Sequence, residues 1–582
     1  MSRHIWALLV GALLLVAPWV LPPFYVGLLT FTGLSAMVVA GLVLLLQAGQ
    51  VSLGHGAFMG LGAYVSAVLC LRYDVSPWLA MPAGVLLTAL AAAVIGRVTL
   101  RLRGHYLPLA TLAWGIGLFG VFLAWGELTG GASGLDKIPA ISLFGFELRD
   151  ERLYACIVWA VALSIVVAFR RLQVSRIGRA VAAVRTHETM ATSFGIDVAA
   201  LKSRVFILSA IVAAIAGVLY VHHIRFISPT PFNLGASFKF LIMAVLGGPA
   251  HSAGAIVGAF VIQGIEWGAQ DLFANRLGVS GNYEIIVFGA ILVLVLVRWP
   301  GGLWPAHLLP TVLPPTTGGT PLPQRGHDAD AGGVLLEVED VAVSFGGLQA
   351  LRGVSFTLGA GEMVGLIGPN GAGKTTVFNV ITGLQRPTAG AVRFRGRPLA
   401  RHTDRIVGDG LARTFQHVQL VPTLSVLENV AIGAHARTRC GIASGLFGGN
   451  GAEERAIFTA AHEAIQRVGL ADVAYAAAGS LPLGRQRIVE IARALLADPV
   501  VLLLDEPAAG LRFSEKLELV KLLRRLRREG MTILLVEHDM ELVMSVVDRL
   551  VVFNRGEVIA RGTPADVQRD PLVIDAYLGG VA

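Results

Sequence analysis

Eight apolar runs of membrane-spanning length or nearly so, at about 5–22, 24–46, 51–70, 78–100, 105–126, 153–169, 205–224 and 283–299, fall within the first 300 residues of this 582-residue chain. About 20 apolar residues match the hydrocarbon thickness of a bilayer when helical, and a helix satisfies its own backbone groups, so the first half must be a bundle of membrane helices. A further apolar stretch, 238–268, is broken around Gly247, Gly248 and Pro249 into two short segments, FLIMAVLGG and AGAIVGAFVIQG. Such interruptions are tolerated where they line a cavity or pack inside a bundle. The first run follows MSRH as a signal peptide would. It lacks a small-x-small cleavage site and a second run follows at once, so it reads as a retained span.

Charge orients the bundle. Residues 1–300 hold 19 Lys+Arg against 11 Asp+Glu and residues 301–582 hold 28 against 28, so the whole formal charge of +8 belongs to the apolar half. These basic residues cluster between spans, where the positive-inside rule expects them; the chain faces membrane lipid, and nucleic acid is not an expected partner. The segment 170–204 carries Arg170, Arg171, Arg176, Arg179, Arg185, Lys202 and Arg204 against Glu188 and Asp197, which places it in the cytoplasm. Cys70, Cys156 and Cys440 are too far apart for a CxxC motif and point to neither a disulfide framework nor a zinc site. In AGQVSLGHGAFMGLGAY, residues 48–64, five glycines accompany Ser52 and His55 near membrane depth. The stretch fits a pathway-lining or re-entrant segment, and equally tight helix packing with His55 bonded internally.

The apolar character stops at about residue 304. Residues 305–333, rich in Pro, Gly and Thr, cannot build a core and read as a linker between a membrane domain, 1–304, and a second domain, 334–582.

That second domain opens with strand patterns, LLEVEDVAVSF and VSFTLGAGEMVGLIG, the latter running into GPNGAGKTTVFNVITGL. Gly368, Pro369, Asn370, Gly371, Ala372 and Gly373, then Lys374, Thr375 and Thr376, fit GxxxxGK[ST] with a strand before and a helix after. Backbone N–H groups of such a loop wrap phosphates, the lysine reaches the outer ones, and Thr375 is placed to ligate Mg²⁺. VVLLLDEP adds a buried strand with Asp505 at its C-terminal end, to hold Mg²⁺ through water, and Glu506 beyond it, to polarise an attacking water. The expected cofactors are ATP and Mg²⁺.

With these motifs, 334–582 resembles the ABC transporter ATPases. The resemblance implies an α/β P-loop domain after an all-α polytopic membrane domain. It implies that Phe345 stacks on adenine, that Gln416 of RTFQH senses the γ-phosphate and joins the magnesium shell, and that His538 of ILLVEHD contacts the γ-phosphate. One turn departs from the family: LPLGR at 481–485 stands where LSGGQ is usual, keeping Gly484 and replacing the serine with Pro482. The lost hydroxyl is worth about 1–3 kcal/mol to a charged acceptor. The amides and positive dipole end of the helix Gly484–Ala497 remain, and proline suits a first helical turn, so an altered but working turn is expected. In EPAAGLRFSE, Arg512 and Phe513 replace an asparagine and a proline usual in the branched-chain amino acid branch.

The membrane half is similar to permeases of that branch in GQVSLGHGAFMGLGAY, in SRIGRAVAAVR followed by FGID, and in LIMAVLGG; GLARTFQHVQLVPTLSVLENV and RGEVIARGTPADVQRDPLVIDAYLG are similar to its ATP-binding subunit. The resemblance implies two normally separate subunits joined as half of an importer of branched-chain or related hydrophobic amino acids in the bacterial cytoplasmic membrane. A second permease and ATPase, or a second copy of this chain, would complete it, together with a separate substrate-binding protein. It further implies that a cytoplasmic permease helix within Arg185–Gly195 enters a groove of the ATPase near Gln416; a solvated charged loop is the alternative. Urea, short amides or other amino acids are alternative cargoes, and an ATP-switched membrane regulator is the alternative of another class. An exporter fits less well, since the spans are many, short and glycine-rich.

Overall fold

The structure, a computed structural model, describes residues 2–100, 106–143, 146–271, most of 289–304, 322–324, 333–400 and 402–578. Its contacts form two units: residues 1–174 with 199–313, and residues 175–198 with nearly all of 314–582. The apolar run at 283–299 and the linker lie largely outside the described residues.

In chain order the helices begin with α1 (Ser2–Val20), α2 (Pro23–Gln47), α3 (His55–Tyr73), α4 (Pro77–Thr99), α5 (Tyr106–Ala124) and α6 (Glu151–Gln173). Two short ones follow, α7 (Arg176–Thr186) and α8 (Glu188–Ser193), then α9 (Val198–Ile224), α10 (Leu234–Gly247) and α11 (Gly254–Gln270). Among the described residues six helices, α2 to α6 and α9, are long and apolar enough to cross a membrane. Within the first unit α2 is buried along most of its length and α5 is mostly exposed, so the bundle wraps a central apolar helix. The broken stretch forms α10 and α11, two separate helices as its glycines and proline predict.

Residues 48–54 unwind between α2 and α3, and side chains satisfy the freed groups. Thr111 Oγ1 accepts from Leu53 N (3.1 Å), Ser52 Oγ from Gly54 N (3.3 Å) and Ser237 Oγ from Gly56 N (3.0 Å). His55, fully buried, sits between Ser52 Oγ (3.1 Å) and Ser209 Oγ (2.6 Å). Of the two readings of this stretch, the geometry favours internal packing: a neutral imidazole spends both ring nitrogens on hydroxyls.

The second unit holds two sheets. A four-stranded antiparallel sheet, β1 (Val334–Phe345), β2 (Leu348–Gly359), β4 (Ala389–Phe394) and β5 (Arg397–Pro398), has the order β2-β1-β4-β5. The other sheet is built from β3 (Met363–Ile367), β6 (Leu411–Arg413), β7 (Val501–Asp505), β8 (Thr532–Val536), β9 (Arg549–Asn554) and β10 (Glu557–Gly562) in the order β10-β9-β3-β8-β7-β6, parallel except for its last hairpin. All residues of β3, β7 and β8 are buried, as unbroken apolar runs require when both faces of a parallel sheet are covered. Between strands lie α12 (Lys374–Ile381) and α13 (Thr403–Asp409); a helical subdomain with its own apolar core contains α14 (Val426–Ala431), α15 (Gly451–Arg467) and α16 (Leu483–Leu496); α17 (Phe513–Arg528) follows β7.

Candidate nucleotide site and the permease segment on it

The phosphate loop runs from the end of β3 into α12. Gly373 takes a left-handed φ of 102°, and a Cβ there would stand 2.7 Å from Leu351 Cδ2 and 2.9 Å from Ala350 O, so only glycine closes this turn against β2. Lys374, buried, folds its ammonium over the loop and donates to Gly368 O (2.6 Å) and Pro369 O (3.0 Å). Burial lowers its pKa, and the nearby Glu506 and Asp505 oppose that shift. Thr375 is exposed in the first turn of α12 and Thr376 half-buried behind it. Phe345 stands half-exposed where β1 turns into β2, the strand that packs on Gly373.

Asp505 ends β7, buried, and its carboxyl is pushed up by burial against the opposing pull of Arg413. Arg413 holds it in place: one guanidinium nitrogen donates to Asp505 Oδ2 (3.1 Å), another to Asn379 Oδ1 (2.9 Å) and Thr382 Oγ1 (3.0 Å) of the loop's helix and its C-cap. Asp505 Oδ1 is buried without a hydrogen-bond partner. A buried carboxylate oxygen with unused lone pairs fits the hydration shell of a divalent cation, so the residues present suit Mg²⁺. Glu506 has a left-handed φ of 47°, uncommon outside glycine, and its Oε1 lies 2.6 Å from His538 Nε2. Glu537, buried and pushed up in pKa by burial, accepts from Ala508 N (2.6 Å) and His538 N (3.1 Å), which ties the end of β8 to the turn after Glu506. Gln416 is exposed just past β6, its backbone carbonyl held by Arg487 of α16.

The altered turn differs slightly from expectation. Pro482 is the N-cap of α16 and the helix begins at Leu483, because proline's φ of −57° with an extended ψ of 151° leads into a helix without joining it. Gly484, in the first turn of α16, lies under the carboxylate of Glu515, which a Cβ at 484 would push aside.

Residues 175–198 belong by contact to the ATPase unit. Ser175 caps α7 by accepting from Ile177 N (3.2 Å). Arg179 pairs with Glu454 (2.8 Å), both side chains nearly buried, and its guanidinium lies 4.8 Å from the Phe458 ring. Arg176 donates to the carbonyls of Cys440 and His435 (both 2.8 Å). Burial, with Arg176 and Arg179 adding to it, lowers His435 to about 3. Farther on, Phe194 is buried beneath the guanidinium of Arg493 (4.8 Å), and Gly195 fits against Ala436 and Val407. A segment read from sequence as Arg185–Gly195 is thus anchored from Arg176 onward, and its first arginines are ion-paired and bonded to carbonyls. The solvated-loop alternative does not hold.

Residues 24–296 match the family described as the permease component of the branched-chain amino acid transport system, residues 351–509 match ABC transporter, and residues 557–582 match branched-chain amino acid ATP-binding cassette transporter. Over 250 residues the chain is 45% identical to the high-affinity branched-chain amino acid transport ATP-binding protein LivG of Salmonella typhimurium, covering 42% of this chain and 98% of LivG. The chain belongs to the branched-chain amino acid ABC transporter family. BraF of Pseudomonas aeruginosa, a high-affinity branched-chain amino acid transport ATP-binding protein, is 42% identical over the same shares. A crystal structure of a nucleotide-free ATP-binding cassette from an ABC transporter aligns with 42% of this chain and 99% of its own at 31% identity, with a TM-score of 0.39. Within this family the chain is a fused permease and ABC ATPase, a multi-pass membrane protein in which those relatives cover only the ATPase part.

Sequence reading missed the buried charges around the site. Arg413 stood unremarked ahead of Thr-Phe-Gln. Arg487, Glu490 and Arg493 recur at i, i+3 and i+6 in the otherwise apolar stretch RIVEIARALL, a spacing that puts charge on its buried side and signals an internal network.

Proposed function

We propose that this chain couples ATP hydrolysis to import of branched-chain or related hydrophobic amino acids, as the fused permease and ATPase half of a transporter in a bacterial cytoplasmic membrane. A second permease and ATPase, or a second copy of this chain, completes it, and a separate binding protein delivers cargo. The observation that carries this reading is the bond between Glu506 and His538 at the strand ends next to the phosphate loop, in a unit that also seats the permease segment 175–198.

In this mechanism the glycine loop and Lys374 bind the phosphates, Phe345 stacks on the base, and the tip of α16 from a neighbouring ATPase closes the other side. Thr375, Asp505 and Gln416 would hold Mg²⁺, which would supply positive charge to offset that of the phosphates. Glu506 accepts the proton of the attacking water and His538 holds Glu506 in place while facing the γ-phosphate. Arg413 keeps the Asp505 carboxyl fixed where it would hold Mg²⁺, so no reorganisation is needed there. Closure of the paired ATPases then moves segment 175–198, and with it the spans on either side.

The test is uptake of radiolabelled leucine, isoleucine or valine into proteoliposomes holding the complete assembly, with phosphate release measured in parallel. Glu506→Gln should lower turnover by about 10²–10⁴-fold and abolish uptake. Uptake that persists without turnover would refute the mechanism, and competition by urea or short amides would move the cargo to those classes.

A further inference from the structure

Three buried side chains on α16 grip the backbone that leads away from Gln416. Arg487 donates to Phe415 O (2.7 Å) and to Gln416 O, Glu490 Oε1 accepts from Gln419 N (2.9 Å), and Arg493 donates to Gln419 O (2.9 Å). Glu490 bridges the two arginines, 3.6 Å from Arg487 and 3.4 Å from Arg493. The side-chain ends of these bonds are buried: the arginines and the glutamate are each at most 5% exposed.

The outer face of Arg493 carries the permease segment. Its guanidinium stacks on Phe194, and its charge is near enough to His187 to help lower that imidazole's pKa, after burial. One buried cation of α16 therefore touches both the strand-to-helix connection at Gln419 and the permease segment at Phe194, which lies more than 200 residues earlier in the chain. The network is also incompletely satisfied, since Arg493 Nε and Gln419 Oε1 are buried without hydrogen-bond partners. Unpaired atoms in a buried network carry a desolvation cost, so the energy of this node depends closely on where its neighbours stand.

We propose that Arg493 is a positioning residue that transmits the state of the Gln416 connection to the permease segment through the ring of Phe194. It touches no nucleotide. Its planar cation fixes Gln419 on one side and the aromatic ring on the other, so displacement of either moves both. The inference rests on the transport reading for what the movement accomplishes, and its test is independent of uptake.

The experiment uses the complete assembly in detergent. Phe194→Leu removes the ring and leaves the Arg487, Glu490 and Arg493 bonds in place; Phe194→Tyr keeps the ring. The expected result is a five-fold or larger drop in kcat for Phe194→Leu with KM for ATP within two-fold of wild type, and restoration by Phe194→Tyr. Arg493→Lys, which keeps charge and loses the planar fork, should lower kcat similarly, and the double variant with Phe194→Leu should be no worse than either alone. Additive losses, or an unchanged kcat in Phe194→Leu, would overturn the proposal. Hydrogen exchange of amides 188–195 gives a readout that needs binding only: ATP with magnesium should alter it in wild type and Phe194→Tyr and not in Phe194→Leu, and an equal response in all three would also overturn it. If wild type shows no turnover, the pump reading fails, and the exchange result alone decides the relay.

Discussion

The two units bury polar groups in opposite styles. In the membrane unit they are mostly neutral among the described residues: His55 between Ser52 and Ser209, His222 between Ser66 Oγ (2.8 Å) and Pro139 O (2.8 Å), and Tyr154 donating to Leu219 O (2.6 Å), beside the half-buried ion pair Lys239–Glu266 (2.6 Å) and an orphaned Gln50 amide. In the ATPase unit they are charged and partly unspent, as in Arg413–Asp505 and the Arg487–Glu490–Arg493 row. Satisfied neutral pairs fix helices against one another. Buried ions hold a backbone firmly and depend strongly on the few partners they have, so removing one partner is costly.

The largest break in this comparison should come from Glu490→Leu, which leaves two buried arginines without their shared anion and should cost about 3–5 kcal/mol in thermal or denaturant stability of the ATPase unit. A cost near zero would mean the row is not a network. Ser209→Ala in the membrane unit strips one bond from His55 and should cost about 1 kcal/mol, because neutral interhelical bonds in lipid are worth little more; a loss as large as that of Glu490→Leu would erase the contrast between units.

Acid gives a sharper view of the docked segment. His435 titrates near 3 in the folded chain and near 6.5 unfolded, so its neutral form contributes stability above pH 6.5 that is lost as pH falls from there toward 3. Between pH 7.5 and 5.5 the melting midpoint should fall by the equivalent of about 1 kcal/mol, and His435→Asn should flatten that slope. At the bottom of the scale, Lys521→Ala opens an exposed pair with Glu518 and should change stability by less than about 0.5 kcal/mol. A larger effect there would show that surface charge, and not burial, sets the ATPase unit's electrostatics.

Much of this was legible in the sequence because it is written in short-range pattern. Six of the eight apolar runs are helices long and apolar enough to span, the run at 5–22 holds a shorter apolar helix, the broken stretch gave α10 and α11, and the glycine loop between a strand and a helix stood out by spacing alone. Pro482 was readable as a start signal, and its shift from the first turn to the N-cap is a matter of one or two residues. Illegible were the roles of charges whose partners lie far along the chain. Arg176 and Arg179 look like solvated cytoplasmic residues until Glu454 is set beside them, 275 residues from Arg179. The i, i+3, i+6 row on α16 shows that charge is buried, and says nothing of Gln419 or Phe194.

The sequence by itself determined the two-part design, the lipid-facing helices, the phosphate loop and the carboxylates at the end of β7, since each follows from hydropathy, periodicity or the backbone demands of glycine within a window of a few dozen residues. Only the tertiary structure decided that Arg413 holds Asp505, that His55 is a packing residue, and that 175–198 folds with the ATPase. The reason is that a buried ion is stable only with a counter-charge, and nothing local specifies which distant residue folding will bring to it.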